Sequence, residues 1–142
     1  MTETGTRARP RAVLRVLLAV FMLLAGVGHF VAHDEFLKQV PTWLPGRSLI
    51  VWGSGMIEVG FGVALLVSPR HRRHQVGWAL AAFLVGVFPG NVHQAVAGTD
   101  AFGLDTSTAR WGRLLFQPPL VALALWSTGA WRPGGRRQRR LR

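Results

Sequence analysis

Apolar residues in this chain fall into four blocks. The first runs from about Val13 to Ala32, the second from Ser48 to Ser68, the third from Val76 to Ala97 and the fourth from Trp111 to Trp131. Each is roughly 20 residues, the length with which an α-helix crosses ~30 Å of hydrocarbon. A helix of a soluble bundle carries a polar stripe opposite its apolar one. The stretches VLLAVFMLLAG, VGFGVALLV and VGWALAAFLVGVF carry none. The pattern predicts an all-α integral membrane protein, a four-helix transmembrane bundle with helices over about residues 12–32, 48–68, 76–97 and 111–131. Pro41 and Pro45 disfavour helix in the residues before them, which leaves HDEFLKQVPTWLPGRS as a loop between the first two helices. In GTDAFGLDTSTA, ahead of the fourth, Asp105, Thr106 or Ser107 has the chemistry of a helix N-cap.

The chain has 142 residues, within the size of one domain, and a formal net charge of +11. In a soluble protein that excess of base points to nucleic acid. Its placement here points elsewhere. All but four of the 17 Lys and Arg residues lie in three segments. Arg7, Arg9, Arg11 and Arg15 lead into the first helix, and Arg70, Arg72 and Arg73 separate the second from the third. Arg132, Arg136, Arg137, Arg139, Arg140 and Arg142 follow the fourth. Four crossings put all three segments on one side of the membrane, and the positive-inside bias makes that side the cytoplasm, with both termini in it. Lys38, Arg47, Arg110 and Arg113 share the other side with Asp34, Glu35, Asp100 and Asp105. Residues 1–11 are then a basic cytoplasmic tail, 12–131 the membrane domain and 132–142 an Arg-rich cytoplasmic tail. The charge sets topology, and nucleic acid is not an expected partner. Trp43, Trp111 and Trp131 fall at the expected membrane boundaries, where indole rings are favoured. The opening arginines and apolar core also suit a signal peptide, but no clear A-x-A site follows and three more spans do, so an uncleaved first helix is expected. The chain has no Cys, which excludes disulfides, thiol redox chemistry and thiolate metal sites.

Polar groups are costly inside a membrane, and those present face a bundle interior or a functional cavity. Here they are His29 at the end of the first span, Glu58 in the second, Asn91 and His93 in the third, and Arg113 and Gln117 in the fourth. At ~1.5 Å per residue they fall in the outer half of the bundle, with Glu58 deepest. Glu58 and His29 are the candidate catalytic acid–base groups. Arg113 is the expected counter-charge of Glu58, with His29 as its alternative partner. Arg113 and Gln117, at i,i+4, form with Asn91 and His93 the candidate ligand-binding set. The competing view is structural, with these groups only tying helices together by hydrogen bonds. His29 and His33 have the spacing of two metal ligands on one helix face, but His33 sits at the loop junction beside Asp34 and Glu35, and no metal site is assigned. Gly55 and Gly62 flank Glu58 on one face, and Ala82, Gly86 and Gly90 form a small-residue ridge. Such residues let helices approach closely or leave room beside a functional side chain. Pro89 and the Pro118–Pro119 pair are expected to bend the third and fourth helices.

The order AGVGHF, VPTWLP, SGMIEVGFGVALL, FLVGVFPGNV and ARWGRLLFQPPL resembles the DoxX-like family of small bacterial membrane proteins, over roughly residues 20–131. FPGN stands here where many members have FPAN. The resemblance implies a four-helix bundle in the bacterial cytoplasmic (inner) membrane, and His29, Glu58, Asn91, Arg113 and Gln117 match the family's polar pattern. The family is named for a subunit of an archaeal thiosulfate:quinone oxidoreductase. Other relatives are tied to membrane-anchored redox complexes, to methylamine utilisation or to the handling of membrane proteins. The leading expectation is therefore the membrane subunit of a redox system, with a polar site for a quinone-like molecule in the outer half of the bundle. No nucleotide, flavin or iron–sulfur motif is recognisable, so electrons would come from a partner. The alternatives are a non-catalytic scaffold or assembly factor for a partner protein, and a membrane-embedded acid/base enzyme acting on a lipid-like substrate. The expected partners are the lipid bilayer and a redox-enzyme or other membrane-protein subunit, with a homo-oligomer left open. Four short helices without a repeat make a poor transporter.

Overall fold

A computed structural model describes residues 8–131. Arg7 and the Arg-rich tail over 132–142 lie outside the described residues, as does most of the expected tail over 1–11. The described residues form six helices and no strand: α1 (Ala8–Val31), α2 (His33–Leu37), α3 (Arg47–Val67), α4 (Arg73–Ala97), α5 (Ser107–Leu114) and α6 (Gln117–Ser127). Three of them, α1, α3 and α4, are long and apolar enough to cross a membrane.

The fourth expected span is divided. It ends as α5 at Leu114 and resumes as α6 at Gln117, and neither piece has membrane length. Pro118 and Pro119 have no N–H to give to a preceding turn. They are accommodated in the first turn of α6, where those N–H groups have no intrahelical partner in any case. Pro89 lies inside α4 without ending it. Thr106 is the cap of α5, its side chain accepting a hydrogen bond from the Ala109 amide at 3.2 Å. Gly98 closes α4 in the left-handed conformation, with φ +66°, the usual glycine device for ending a helix.

Long apolar helices leave few ways to pack. α1 lies along α3, α4 lies along α6, and α1 also touches α6, whereas α3 and α4 meet only sparsely. Neighbours run antiparallel. Arg15, early in α1, donates to the Leu65 carbonyl near the end of α3 at 3.1 Å. Gly77, early in α4, packs on Thr128 just past α6. The core between them holds Leu18, Ala19 and Met22 of α1, Leu65 of α3, Leu80 and Leu84 of α4 and Ala124 of α6. The outer faces are apolar too: Leu17, Leu24, Val31, Leu49, Met56, Val67, Val85 and Val96 are all more than half exposed. Soluble monomers rarely expose apolar surface on that scale. Hydrocarbon is the solvent that suits it, and a helix satisfies its own backbone there.

The seam between α1 and α3 depends on glycine. A Cβ added at Gly26 would lie 2.7 Å from the Gly55 carbonyl oxygen and 2.8 Å from the Val59 amide nitrogen. One at Gly55 would lie 2.7 Å from Cβ of His29, and one at Gly62 would strike Leu23 Cγ at 2.6 Å. Gly86 and Gly90 behave differently, since a Cβ at either meets nothing within 4 Å. Of the two uses of small residues, Gly55 and Gly62 serve close approach, and Gly86 and Gly90 leave space. Gly26→Ala should therefore cost about 1–3 kcal/mol through overpacking against backbone. Gly60→Ala, at a position with nothing within 4 Å, should be neutral or stabilise α3 by up to ~1 kcal/mol. Thermal unfolding of both variants in detergent checks this; equal effects would contradict the glycine seam.

Candidate functional site

At the end of the helices that carries α2 and the 98–106 loop lies a cavity of about 910 Å³. That is within the range of about 300–1,000 Å³ common for small-molecule sites. Its wall is largely apolar, with Met22, Val51, Leu84, Val87 and Leu120 among the lining residues. Into it come His29 from α1, Glu58 from α3, Asn91 and His93 from α4, Arg113 from α5 and Gln117 from α6. All six residues singled out from the sequence thus share one cavity.

The α1–α3 seam sets the first pair. The two helices are antiparallel, so His29 stands level with Gly55, where an added Cβ would lie 2.7 Å from His29 Cβ, and Gly26 stands level with Val59, the residue after Glu58. The close seam lets His29 and Glu58 reach each other diagonally across it. His29 Nδ1 lies 3.2 Å from Glu58 Oε2, and both side chains are almost fully buried. The same Nδ1 also lies 2.9 Å from the Ala25 carbonyl. A carbonyl only accepts, so Nδ1 carries a hydrogen and donates it there. Glu58 Oε2 is within ion-pair distance but makes no hydrogen bond, leaving a buried oxygen without a donor. His29 Nε2 remains for a ligand or for proton exchange. The imidazole stacks on Phe36, with ring centroids 3.6 Å apart and planes at 24°.

Arg113 corrects an expectation. It is not the ion-pair partner of Glu58; among the described residues that place belongs to His29. Arg113 Nη1 donates to Gln94 Oε1 at 2.8 Å and Nη2 to Gln39 Oε1 at 3.2 Å. The reason is the break after Leu114. It puts Arg113 in a separate helix that packs against α4, where Gln94 is within reach. The guanidinium is thus held by two neutral oxygens, and its charge has no carboxylate within 4 Å among the described residues. Gln39 Nε2 is a further buried donor without a partner.

Gln117 is turned to α4 rather than to Arg113. Its Nε2 donates to the Leu84 carbonyl, and its Oε1 receives the Asn91 amide at 3.5 Å. Pro89 has no N–H for the Val85 carbonyl, and the neighbouring Leu84 carbonyl has this side-chain donor. His93 is half-buried on the cavity wall. His33 pairs its Nε2 with the Ser48 hydroxyl at 3.3 Å and lies beside Trp52. Among the described residues no group of three or more His, Asp and Glu is placed to hold a metal ion.

Three participants, Gln94, Gln39 and Phe102, escaped the sequence reading; Phe36 belongs to the stretch expected as a loop, whose apolar residues suit either the membrane surface or a roof over the bundle. Gln94 and Gln39 are buried, with relative exposures of 2 % and 8 %. Gln94 was legible as one more polar group one turn beyond Asn91; nothing in the loop sequence marks Gln39. Phe36 and Phe102 form the roof. Phe102 meets Phe36 edge-on, with centroids 4.7 Å apart, and Arg113 Cζ lies 5.7 Å from the centroid of its ring.

The roof is fastened by Glu35. Its Oε2 accepts from the Phe102 amide at 2.7 Å and its Oε1 pairs with Lys38 Nζ. Phe102 has φ +56°, costly for a bulky residue, and this clasp holds it there. Lys38, then the Phe102 amide, hold the Glu35 carboxyl below its usual range. Because the folded value lies below the unfolded one, the clasp stabilises the fold above about pH 4.3 and is lost as pH falls through the lowered value. Hydrogen-exchange protection of the Phe102 amide should be present at neutral pH and disappear in acid. Glu35→Ala should abolish it at neutral pH; protection unchanged in that variant would remove the clasp.

The chain matches the family model described as a domain of unknown function, DUF8561, over residues 18–128, a span that includes every cavity residue discussed above. No curated protein and no solved structure matches it. Since the match covers most of the sequence, the chain belongs to the DUF8561 family.

Proposed function

We propose that this chain crosses the membrane four times, α5 and α6 together making the fourth crossing, with both termini in the cytoplasm. The placement of charge supports this. Arg15, Arg70, Arg72 and Arg73 gather at the end opposite the cavity, together with exposed Trp131, while exposed Trp43 lies at the cavity end. Interfacial tryptophans and positive-inside bias support a cavity in the outer half of the bilayer. The residue order that resembles the DoxX-like proteins supports the same architecture in a bacterial cytoplasmic membrane.

In this reading the cavity binds a quinone-like molecule, and the protein is the membrane subunit of a redox system. One observation carries it: five helices send polar side chains into a single apolar-walled cavity, where Glu58 Oε2 has no donor and lies beside His29. A buried acceptor of that kind calls for a partner, and a quinol hydroxyl supplies one. Across the roof, Arg113 and the free Gln39 amide present donors to a carbonyl oxygen. Reduction of a quinone takes two electrons and two protons. Electrons come from a partner protein, the His29–Glu58 pair relays protons, and Arg113 stabilises the oxyanion that forms on the way.

The scaffold reading is favoured by a different observation. Asn91, Gln117 and the Leu84 carbonyl form a chain that ties α4 to α6, so part of the polar set does structural work whether or not a ligand binds.

Glu58→Gln separates the two. It removes the carboxylate charge with little change of shape. Loss of a hydrogen bond to a charged group is worth about 1.5–3 kcal/mol, so affinity for a decyl-tailed ubiquinol, the reduced form whose hydroxyl can donate to Glu58, should fall about tenfold or more. Native mass spectrometry from mild detergent, with and without the probe, reads this. Equal binding by both proteins, or a partner protein retained equally with no small molecule bound, would favour the scaffold.

A further inference from the structure

The four long stretches of helix do not close evenly. α3 and α4 touch sparsely, and their firm contact is the pair Phe61–Phe83, with ring centroids 5.6 Å apart. That contact lies toward the Arg-rich end. Nearer the loops, α3 presents Ile50 and Ser54, and α4 presents Gly86 and Gly90, and all four line the cavity. Gly86 is exposed, and neither glycine meets a neighbour within 4 Å of an added Cβ.

Two glycines one turn apart inside a helix cost roughly 1 kcal/mol each against alanine. At Gly26 and Gly55 that cost is offset by close helix contact. At Gly86 and Gly90 no helix comes close, so their small size leaves an opening. We propose that the cavity opens sideways to the lipid through a slot between α3 and α4, bounded by Ile50 and Ser54 on one side and Gly86 and Gly90 on the other. Its ligand is an amphiphile that arrives from the hydrocarbon and rests with its polar head among the cavity side chains and its apolar tail in the slot. The statement about the ligand rests on the small-molecule reading above. The walls favour a tail over water, because Ile50, Val87 and the two glycines give water no hydrogen-bond partners beyond the Ser54 hydroxyl, which already donates to the Val51 carbonyl at 2.9 Å. The slot also explains why the wall is so apolar around only a few polar groups.

The chain has no Cys, so Ser54→Cys gives one thiol for a nitroxide label in full-length protein reconstituted in phosphatidylcholine vesicles. The slot predicts that collisions with lipid-soluble oxygen exceed those with water-soluble nickel(II) ethylenediaminediacetate. Adding Gly86→Leu and Gly90→Leu should fill the slot and cut the oxygen collisions about twofold or more, as packed side chains exclude the probe. A Cβ at either position meets nothing within 4 Å and leucine raises helix propensity, so the fold should be retained, and circular dichroism of the triple variant checks it. Nickel-dominated collisions would mean that the cavity opens to water. Oxygen-dominated collisions indifferent to the leucines would put the opening elsewhere, on the side of Phe21 and Phe116. Either result overturns the proposal. These collisions are measured without ligand, so failure of the quinone reading in the Glu58→Gln experiment would not alter them.

Discussion

The close approach of α1 and α3 at Gly26 and Gly55 is the constraint from which the site follows. Gly26 and Gly55 let the backbones come near enough for a Cβ at either to collide with the other helix. Because the helices are antiparallel, His29 stands opposite Gly55, and Glu58, next to Val59, stands opposite Gly26. Their 3.2 Å separation is set by the close seam in which they lie. A looser seam would leave a carboxylate in an apolar wall without the imidazole beside it, which is an expensive arrangement. Glycine here works in two opposite senses. On the α1–α3 side it removes bulk so that helices can meet. On the α3–α4 side it removes bulk where helices do not meet, and an opening remains.

The broken fourth span is the second organising feature. Had residues 111–131 formed one straight helix, Arg113 and Gln117 would have pointed together into the bundle. The prolines at 118 and 119 restart the helix, so α5 turns to the end of α4 and α6 packs along its length. Arg113 then joins Gln39 and Gln94 in the roof, and Gln117 braces the stretch of α4 around Pro89. Cation and carboxylate are kept on separate parts of one cavity, and the aromatic pair Phe36 and Phe102 lies over the ground between them.

Much of this was legible in the sequence, for a physical reason. Hydrocarbon requires long apolar helices, and three of them stand at the expected positions over α1, α3 and α4. The same solvent makes every intramembrane polar residue conspicuous, and His29, Glu58, Asn91, His93, Arg113 and Gln117 do line one cavity. Pairing was harder to read. Which partner Glu58 takes depends on a helix break and on seam spacing, neither of which a hydropathy pattern encodes. The rest of the roof was hidden for a related reason: Gln39 and Phe102 come from loops, where polar and aromatic residues are ordinary and only tertiary contact gives them meaning. The Glu35 clasp joins residues 67 positions apart, beyond any local rule.

The most direct test of the central claim is the state of the His29 ring, observed by nitrogen-15 NMR of protein labelled at histidine and reconstituted in lipid. If the seam sets the site, His29 is a single tautomer with hydrogen on Nδ1, and its ring shifts move in both Glu58→Gln and Gly26→Ala. Ring shifts typical of a solvated imidazole, indifferent to both substitutions, would contradict the account.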